Sequence, residues 1–289
     1  MSSSITIFNF STKKDKAQPY LKLKLGLKCN NVHKVNCMNL IFLGTAGSGK
    51  TTLCHAFGHW LKEQGKTVSF VNLDAGAEDL PYIPHFDIRS YFTVSQIMKM
   101  EKLGPNGAML RANELILNQI DSIAEKISSF NSEFILIDTP GQLEAFVFKE
   151  AGPLFLQKLE KQSHSVAIFL IDAELTRYAS NLIVGLLLAI SVQIQLGINM
   201  IYVLHKADLI SGNSKLVKML QNPDYFKKCI IAEKRGALTD LALISQRAFA
   251  ELAPSMRIIT TSAKIKNNSG FDKLYDLIHE VFCSCGDLT

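Results

Sequence analysis

The stretch Leu40-Ile41-Phe42-Leu43-Gly44-Thr45-Ala46-Gly47-Ser48-Gly49-Lys50-Thr51-Thr52-Leu53 decides how the rest of the chain is read. Its centre, Gly44 to Thr51, fits the phosphate-binding pattern G-x-x-x-x-G-K-[ST] in full. The apolar run before it predicts a buried strand. Thr52 to Leu61 after it carries apolar residues at helical spacing. A strand, a glycine loop and a helix form an anion site, because successive backbone N–H groups and the positive end of the helix dipole face one point. Gly44, Gly47, Ser48, Gly49 and Thr52 are therefore expected around bound phosphates. Lys50 would reach the terminal phosphates, and the Thr51 hydroxyl would bind the accompanying Mg2+ ion. The implied ligand is a nucleoside triphosphate.

Outward from this loop, strands and helices alternate. Thr67 to Leu73 predicts a strand ending at Asp74, and Phe86 to Tyr91 a short strand or connection. Val94 to Met100 and Ala108 to Ser129 read as helices on either side of Gly104-Pro105-Asn106-Gly107. Phe134 to Ile137 is a strand ending at Asp138-Thr139-Pro140-Gly141, and Val166 to Ile171 repeats the form up to Asp172. Met200 to Leu204 leads into His205-Lys206-Ala207-Asp208, and Arg257 to Thr261 leads into Ser262-Ala263-Lys264. A mostly helical insertion occupies about 209–256, and Phe271 to Phe282 is a closing helix. The expected fold class is α/β, a mainly parallel sheet with helices on both faces plus a helical insertion. One domain accounts for 38–289. Residues 1–37 form a basic leader, expected to be disordered or outside the native start at Met38.

Composition supports a globular chain: of 289 residues, 47% are apolar and 20% charged. The net charge of +5 belongs to the leader. Residues 1–38 hold seven lysines against Asp15 alone, and the remaining 24 basic and 25 acidic residues nearly cancel. No direct nucleic-acid binding is therefore indicated for the domain. The six cysteines show no zinc-type spacing and read as reduced thiols in a cytoplasmic protein. The longest uncharged run, Tyr178 to Leu204, is interrupted at Gly197 and carries Asn181, Gln193, Gln195 and Asn199. It reads as a buried helix followed by a central strand rather than a membrane span, which needs about 20 apolar residues without a break.

Several residues carry candidate chemistry. Asp138, at a strand end facing the phosphate loop, can hold the magnesium shell, and the Gly141 N–H can reach a γ-phosphate oxygen. Gln142 can orient an attacking water and Glu144 can support the same network; the alternative is that both are ordinary helix-start residues. Base choice rests on Asp208, whose carboxylate can accept from guanine N1–H and the 2-amino group, donors that adenine does not offer as a pair. The Lys206 or Lys264 stem can lie against the ring, and the Ala263 N–H can donate to the guanine oxygen, next to Ser262. His205 stands where the familiar guanine pattern Asn-Lys-x-Asp has Asn, and retains one tethering bond.

Taken together and in order, Gly44 to Thr51, Asn72-Leu73-Asp74 with Leu80-Pro81-Tyr82, Gly104-Pro105-Asn106 and Asp138-Thr139-Pro140-Gly141-Gln142-Leu143-Glu144 resemble the GPN-loop GTPases, archaeal branch. The resemblance runs from Met38 to the C-terminus and implies the P-loop NTPase fold, with GTP/GDP and magnesium as cofactors. It departs from the family at His205 and at Ala75, where Pro is usual. It also implies a homodimer in which each Gly-Pro-Asn loop reaches the partner's nucleotide, with Asp74 positioning or activating water and Asn106 assisting. Without the resemblance, Gly104-Pro105-Asn106 reads as the turn that starts the helix before Ala108. The expected activity is hydrolysis of GTP to GDP and phosphate, in a dimeric switch or assembly factor. Alternatives are a nucleotide-gated assembly module with incidental hydrolysis, an ATP-using protein, or a P-loop kinase; the kinase lacks an arginine cluster. By kinship alone, an unknown protein client would belong to the transcription machinery.

Overall fold

The computed structural model describes residues 37–210, 214–252, 258–265 and 269–286. The leader expected over 1–37 falls outside the described residues except for Cys37. The first strand, β1 (Met38–Gly44), is buried along its whole length. That is the mark of a central parallel strand covered on both faces. Its side chains alternate between two cores: Leu40 and Phe42 pack with Leu53, Phe57 and Leu274 on one face. Ile41 and Leu43 pack with Ile116, Ile123 and Leu186 on the other.

Six further strands follow: β2 (Val68–Asn72), β3 (Phe86–Asp87), β4 (Phe134–Asp138), β5 (His164–Asp172), β6 (Met200–His205) and β7 (Ile258–Thr260). They form one sheet in the order β3-β2-β4-β1-β5-β6-β7. Every pairing is parallel. All carboxyl ends therefore open on one edge, where α/β sheets bind ligands. The expected α/β class is the one observed.

Helix α1 (Lys50–Glu63) covers one face. The other is covered by helices that include α2 (Val94–Glu101), α3 (Pro105–Asn118), α4 (Ile120–Ser128), the short α5 (Leu143–Phe146), α6 (Ala151–Glu160) and α7 (Ala179–Leu196). Three more, α8 (Ser214–Gln221), α9 (Pro223–Ala232) and α10 (Ala237–Leu252), lie in sequence between β6 and β7, where the insertion was expected, and α9 and α10 pack on α7. The closing helix α11 (Phe271–Gly286) joins α1.

Two expectations change. The single helix read over Ala108 to Ser129 starts earlier, at Pro105, and breaks at Gln119, whose φ of −115° and ψ of 13° leave the helical region. No Gly or Pro marks the break, and the apolar stripe through Ile116, Ile120, Ile123 and Ile127 continues across it. Helix α7 is only partly buried. Leu182, Leu186, Ala189 and Val192 enter the core, while Val184 and Ile194 are 64% and 77% exposed. It is long and apolar enough to cross a membrane by length and composition. Its cap at Gly197 and immediate return into β6 make it a cover of the sheet instead.

Candidate nucleotide-binding site

The phosphate loop turns between β1 and α1 on three glycines with positive φ: Gly44 (150°), Gly47 (77°) and Gly49 (95°). Gly49 caps α1 in the left-handed conformation. Lys50 is buried, and its ammonium donates to the carbonyls of Gly44 (3.0 Å) and Thr45 (3.1 Å). Burial lowers its pKa, opposed by the charges of Asp138 and Asp74. An open cleft of ≈ 480 Å³ lies over the loop, lined among others by Gly47, Lys50, Thr51, Asp74, Gly141 and Gln142. Thr52 lines it as well, and is exposed. Gly44 and Ser48 form the buried floor of the turn, where a Cβ on Gly44 would meet the Ser48 hydroxyl at 2.7 Å.

Asp138 ends β4 beside β1, held there by the register Phe42↔Asp138 and by Thr139 Oγ1 donating to Phe42 O at 2.6 Å. Gly141 follows beside the phosphate loop, where a Cβ placed on it would meet Ala46 at 3.5 Å, an ordinary van der Waals contact. The Asp138 carboxylate is 1% exposed. Burial raises its pKa to about 6, against the stabilising Thr51 hydroxyl, the Tyr82 hydroxyl and the Lys50 charge, with Asp74 adding to the rise. Oδ2 accepts from Tyr82 Oη at 3.0 Å, whereas Oδ1 is buried without a hydrogen-bond partner. An orphaned anionic oxygen beside a threonine hydroxyl fits a hard cation that takes oxygen ligands. Among the described residues no group of three or more His, Cys, Asp or Glu could hold a metal. Magnesium binds through one or two protein oxygens and completes its shell with phosphates and water, so the Thr51 hydroxyl and the Asp138 carboxylate are the groups that would hold it.

Asp74 follows β2 and lines the cleft. Its Oδ1 accepts from Gly76 N at 2.8 Å. Asn106 is the second residue of α3. Its Oδ1 lies 3.4 Å from Gln142 Nε2 of the same chain, so the Gly-Pro-Asn loop borders this chain's own cleft. Glu144 sits exposed in the first turn of α5, two residues beyond Gln142, which lines the cleft.

The loops after β6 and β7 meet through Ala207 N donating to Thr261 O at 3.0 Å. Ser262 Oγ donates to Asp208 Oδ1 (2.6 Å) and accepts from Lys264 N (3.2 Å), so Ser262 aims the Asp208 carboxylate. That hydrogen bond keeps Asp208 ionised by lowering its pKa. Ala263 is half-exposed between them. Lys206, at φ 63°, donates its ammonium to Asp172 Oδ2 at 2.5 Å. His205 is not at the base surface. It is 2% exposed beneath the phosphate loop, where a Cβ on Gly49 would fall 2.6 Å from its Cδ2, and its Nδ1 pairs with Thr261 Oγ1 at 2.9 Å. Burial, with Lys206 second, depresses its pKa to about 4 and keeps the ring neutral. It props the loop from behind.

With this geometry, comparison with known proteins separates the nucleotide-binding families. A family model described as "conserved hypothetical ATP binding protein" matches residues 42–284. A GPN-loop GTPase of Pyrococcus abyssi, PAB0955, is 34% identical over 257 residues, covering 87% of this chain and 100% of that protein. The chain belongs to the GPN-loop GTPase family. GPN-loop GTPase 3 of Saccharomyces cerevisiae is 35% identical over 191 residues, 65% of this chain and 70% of the yeast protein. The apo crystal structure of PAB0955 superposes with a TM-score of 0.76 at 32% identity, covering 86% of this chain and 98% of that one. Within this GPN-loop chain, sequence reasoning missed Tyr82 as a partner of Asp138. Leu80-Pro81-Tyr82 marked the position by resemblance, but nothing in the pattern revealed that the hydroxyl reaches a carboxylate 56 residues away.

Proposed function

We propose that this chain binds GTP with magnesium and hydrolyses it to GDP and phosphate, as a cytoplasmic dimeric switch or assembly factor. The observation that carries the reading is the joining of two half-sites at one sheet edge. Lys50, Thr51, Asp74 and Asp138 surround the phosphate cleft, and Asp208, fixed by Ser262, supplies the paired acceptor that suits guanine. Thr51 and Asp138 would hold magnesium, which when bound neutralises charge on the phosphate oxygens. Lys50 and the loop amides take up charge that develops on the transferred phosphoryl group. Asp74 and Gln142 place water for attack on the γ-phosphorus, and Asn106, exposed at the rim, assists from a second copy of the chain. A protein client would read the nucleotide-dependent shape; kinship favours transcription machinery.

The test compares Asp74→Asn with the parent protein in GTP binding and in hydrolysis of prebound GTP. Hydrolysis should fall about a hundredfold or more with GTP affinity retained, since a general base or water-positioning group contributes on that scale. A normal rate removes Asp74 from the mechanism.

A further inference from the structure

Asp74 begins a segment with no regular structure that runs to the Pro81-Tyr82-Ile83-Pro84 turn. A loop of that kind does not hold a side chain within the small tolerances that water placement demands. The structure supplies an external frame. Asn72, fully buried at the end of β2, accepts from Asp74 N at Oδ1 (3.0 Å) and donates from Nδ2 to Asp74 O (3.2 Å). The same Nδ2 donates to Asp87 Oδ1 at 2.9 Å, across the β2–β3 pairing Asn72↔Asp87. Asp87 is in turn gripped by Arg89: Nε lies 3.1 and 3.0 Å from its two oxygens and Nη2 lies 2.8 Å from Oδ2. The remaining arm, Nη1, donates to two successive carbonyls of the loop, Ala77 O (3.1 Å) and Glu78 O (2.9 Å).

The loop is thus held at Asp74 and again at Ala77–Glu78 from one strand edge. We propose that Arg89 is a positioning residue for hydrolysis, clamping the Ala77–Glu78 backbone to Asp87 so that Asp74 keeps its place over the phosphate cleft. This rests on the reading of Asp74 as the water-placing group. A guanidinium presents five N–H donors in a fixed plane, so one face of the fork binds the carboxylate while the other arm reaches the carbonyls. A lysine ammonium keeps the charge but is a point donor and cannot span both. An ordinary half-exposed ion pair would contribute little by itself; the directed bonds to the loop backbone set this one apart.

The test is Arg89→Lys, with Asp87→Asn as a second, isosteric variant and Asp74→Asn as the reference. Measurements are equilibrium affinity for GTP, the single-turnover rate of prebound GTP, and amide hydrogen exchange over residues 74–79 without nucleotide. Arg89→Lys should slow the single-turnover rate about tenfold or more while GTP affinity stays within about threefold, because a small misplacement of a reacting group affects rate more than binding. Exchange over 74–79 should quicken, and Asp87→Asn should move the same way. A normal rate in Arg89→Lys beside a slow Asp74→Asn overturns the clamp alone. A rate loss matched by an equal loss of GTP affinity also overturns it, since Arg89 would then serve binding or the fold. A normal rate in Asp74→Asn removes the underlying reading, and the proposal with it.

Discussion

Replacing Tyr82 by Phe removes a single hydroxyl, which donates to the buried Asp138 carboxylate. The ring stays in place: Tyr82 is 6% exposed and stacks on Phe70 with centroids 4.8 Å apart. Only the bond from Oη to Asp138 Oδ2 is lost, and Oδ1 is already without a partner. In the nucleotide-free protein the Asp138 pKa stands near 6, raised from 3.8 chiefly by burial. The folded state therefore holds this proton more tightly than the unfolded chain. The associated stability is present below about pH 4 and is lost as pH rises through 6, about 3 kcal/mol in all at 1.4 kcal/mol per pKa unit. Tyr82 opposes that loss by donating to the ionised form. A hydrogen bond to a charged group is worth about 1.5–3 kcal/mol and one between neutral groups about 0.5–1.5. Tyr82→Phe should accordingly cost about 2–3 kcal/mol at pH 8, where Asp138 is ionised, and about 1 kcal/mol at pH 4.5, where it is protonated. Urea unfolding of both proteins with a chelator at the two pH values measures this difference, because other titrating groups cancel between variant and parent. Equal losses at both pH values, or a larger loss at pH 4.5, would refute the electrostatic account.

Two further outcomes follow from the same geometry. Gly49→Ala places a Cβ 2.6 Å from His205 Cδ2 at a φ of 95°, so thermal or denaturant unfolding should show a loss of about 2–4 kcal/mol, combining left-handed strain and overpacking. In a double-mutant cycle with His205→Ala, the coupling between the two sites should equal only the overpacking share. Asp208→Ala should weaken GTP about a hundredfold and leave ATP affinity unchanged, the scale of losing hydrogen bonds to a charged acceptor; competition between the two nucleotides for the cleft reads it directly.

Much of this fold is legible in the chain because the buried strands β2, β4 and β5 are mostly apolar runs, each closed or followed by an aspartate. Asp74 follows β2, Asp138 ends β4, and Asp172 ends β5, as read. What the pattern conceals is contact between segments. The break at Gln119 is invisible because the apolar stripe keeps helical phase through it. His205 was expected near the base, yet as the last residue of β6 it turns inward under Gly49. Nothing in Ser262-Ala263-Lys264 reveals that the Ser262 hydroxyl is shared between Asp208 and Lys264 N. Asp87 and Arg89 stand two residues apart and suggest only a local turn until Ala77 and Glu78 are seen beneath the guanidinium.

The central position of β1 also sets the timing of assembly. This strand, buried throughout, has only β4 and β5 as neighbours, and its carbonyl at Phe42 waits for a hydroxyl 97 residues further along the chain. At a synthesis rate of roughly 5–20 residues per second, β1 emerges with both edges open for about 5–20 s before Asp138 exists to pair beside it. During that interval an apolar, unpaired strand is open to association with other chains. Nucleotide offers no shelter then, since half of the cleft has yet to be made. It can act only afterwards, as a ligand that binds the finished sheet and so holds the closed-up state against reopening.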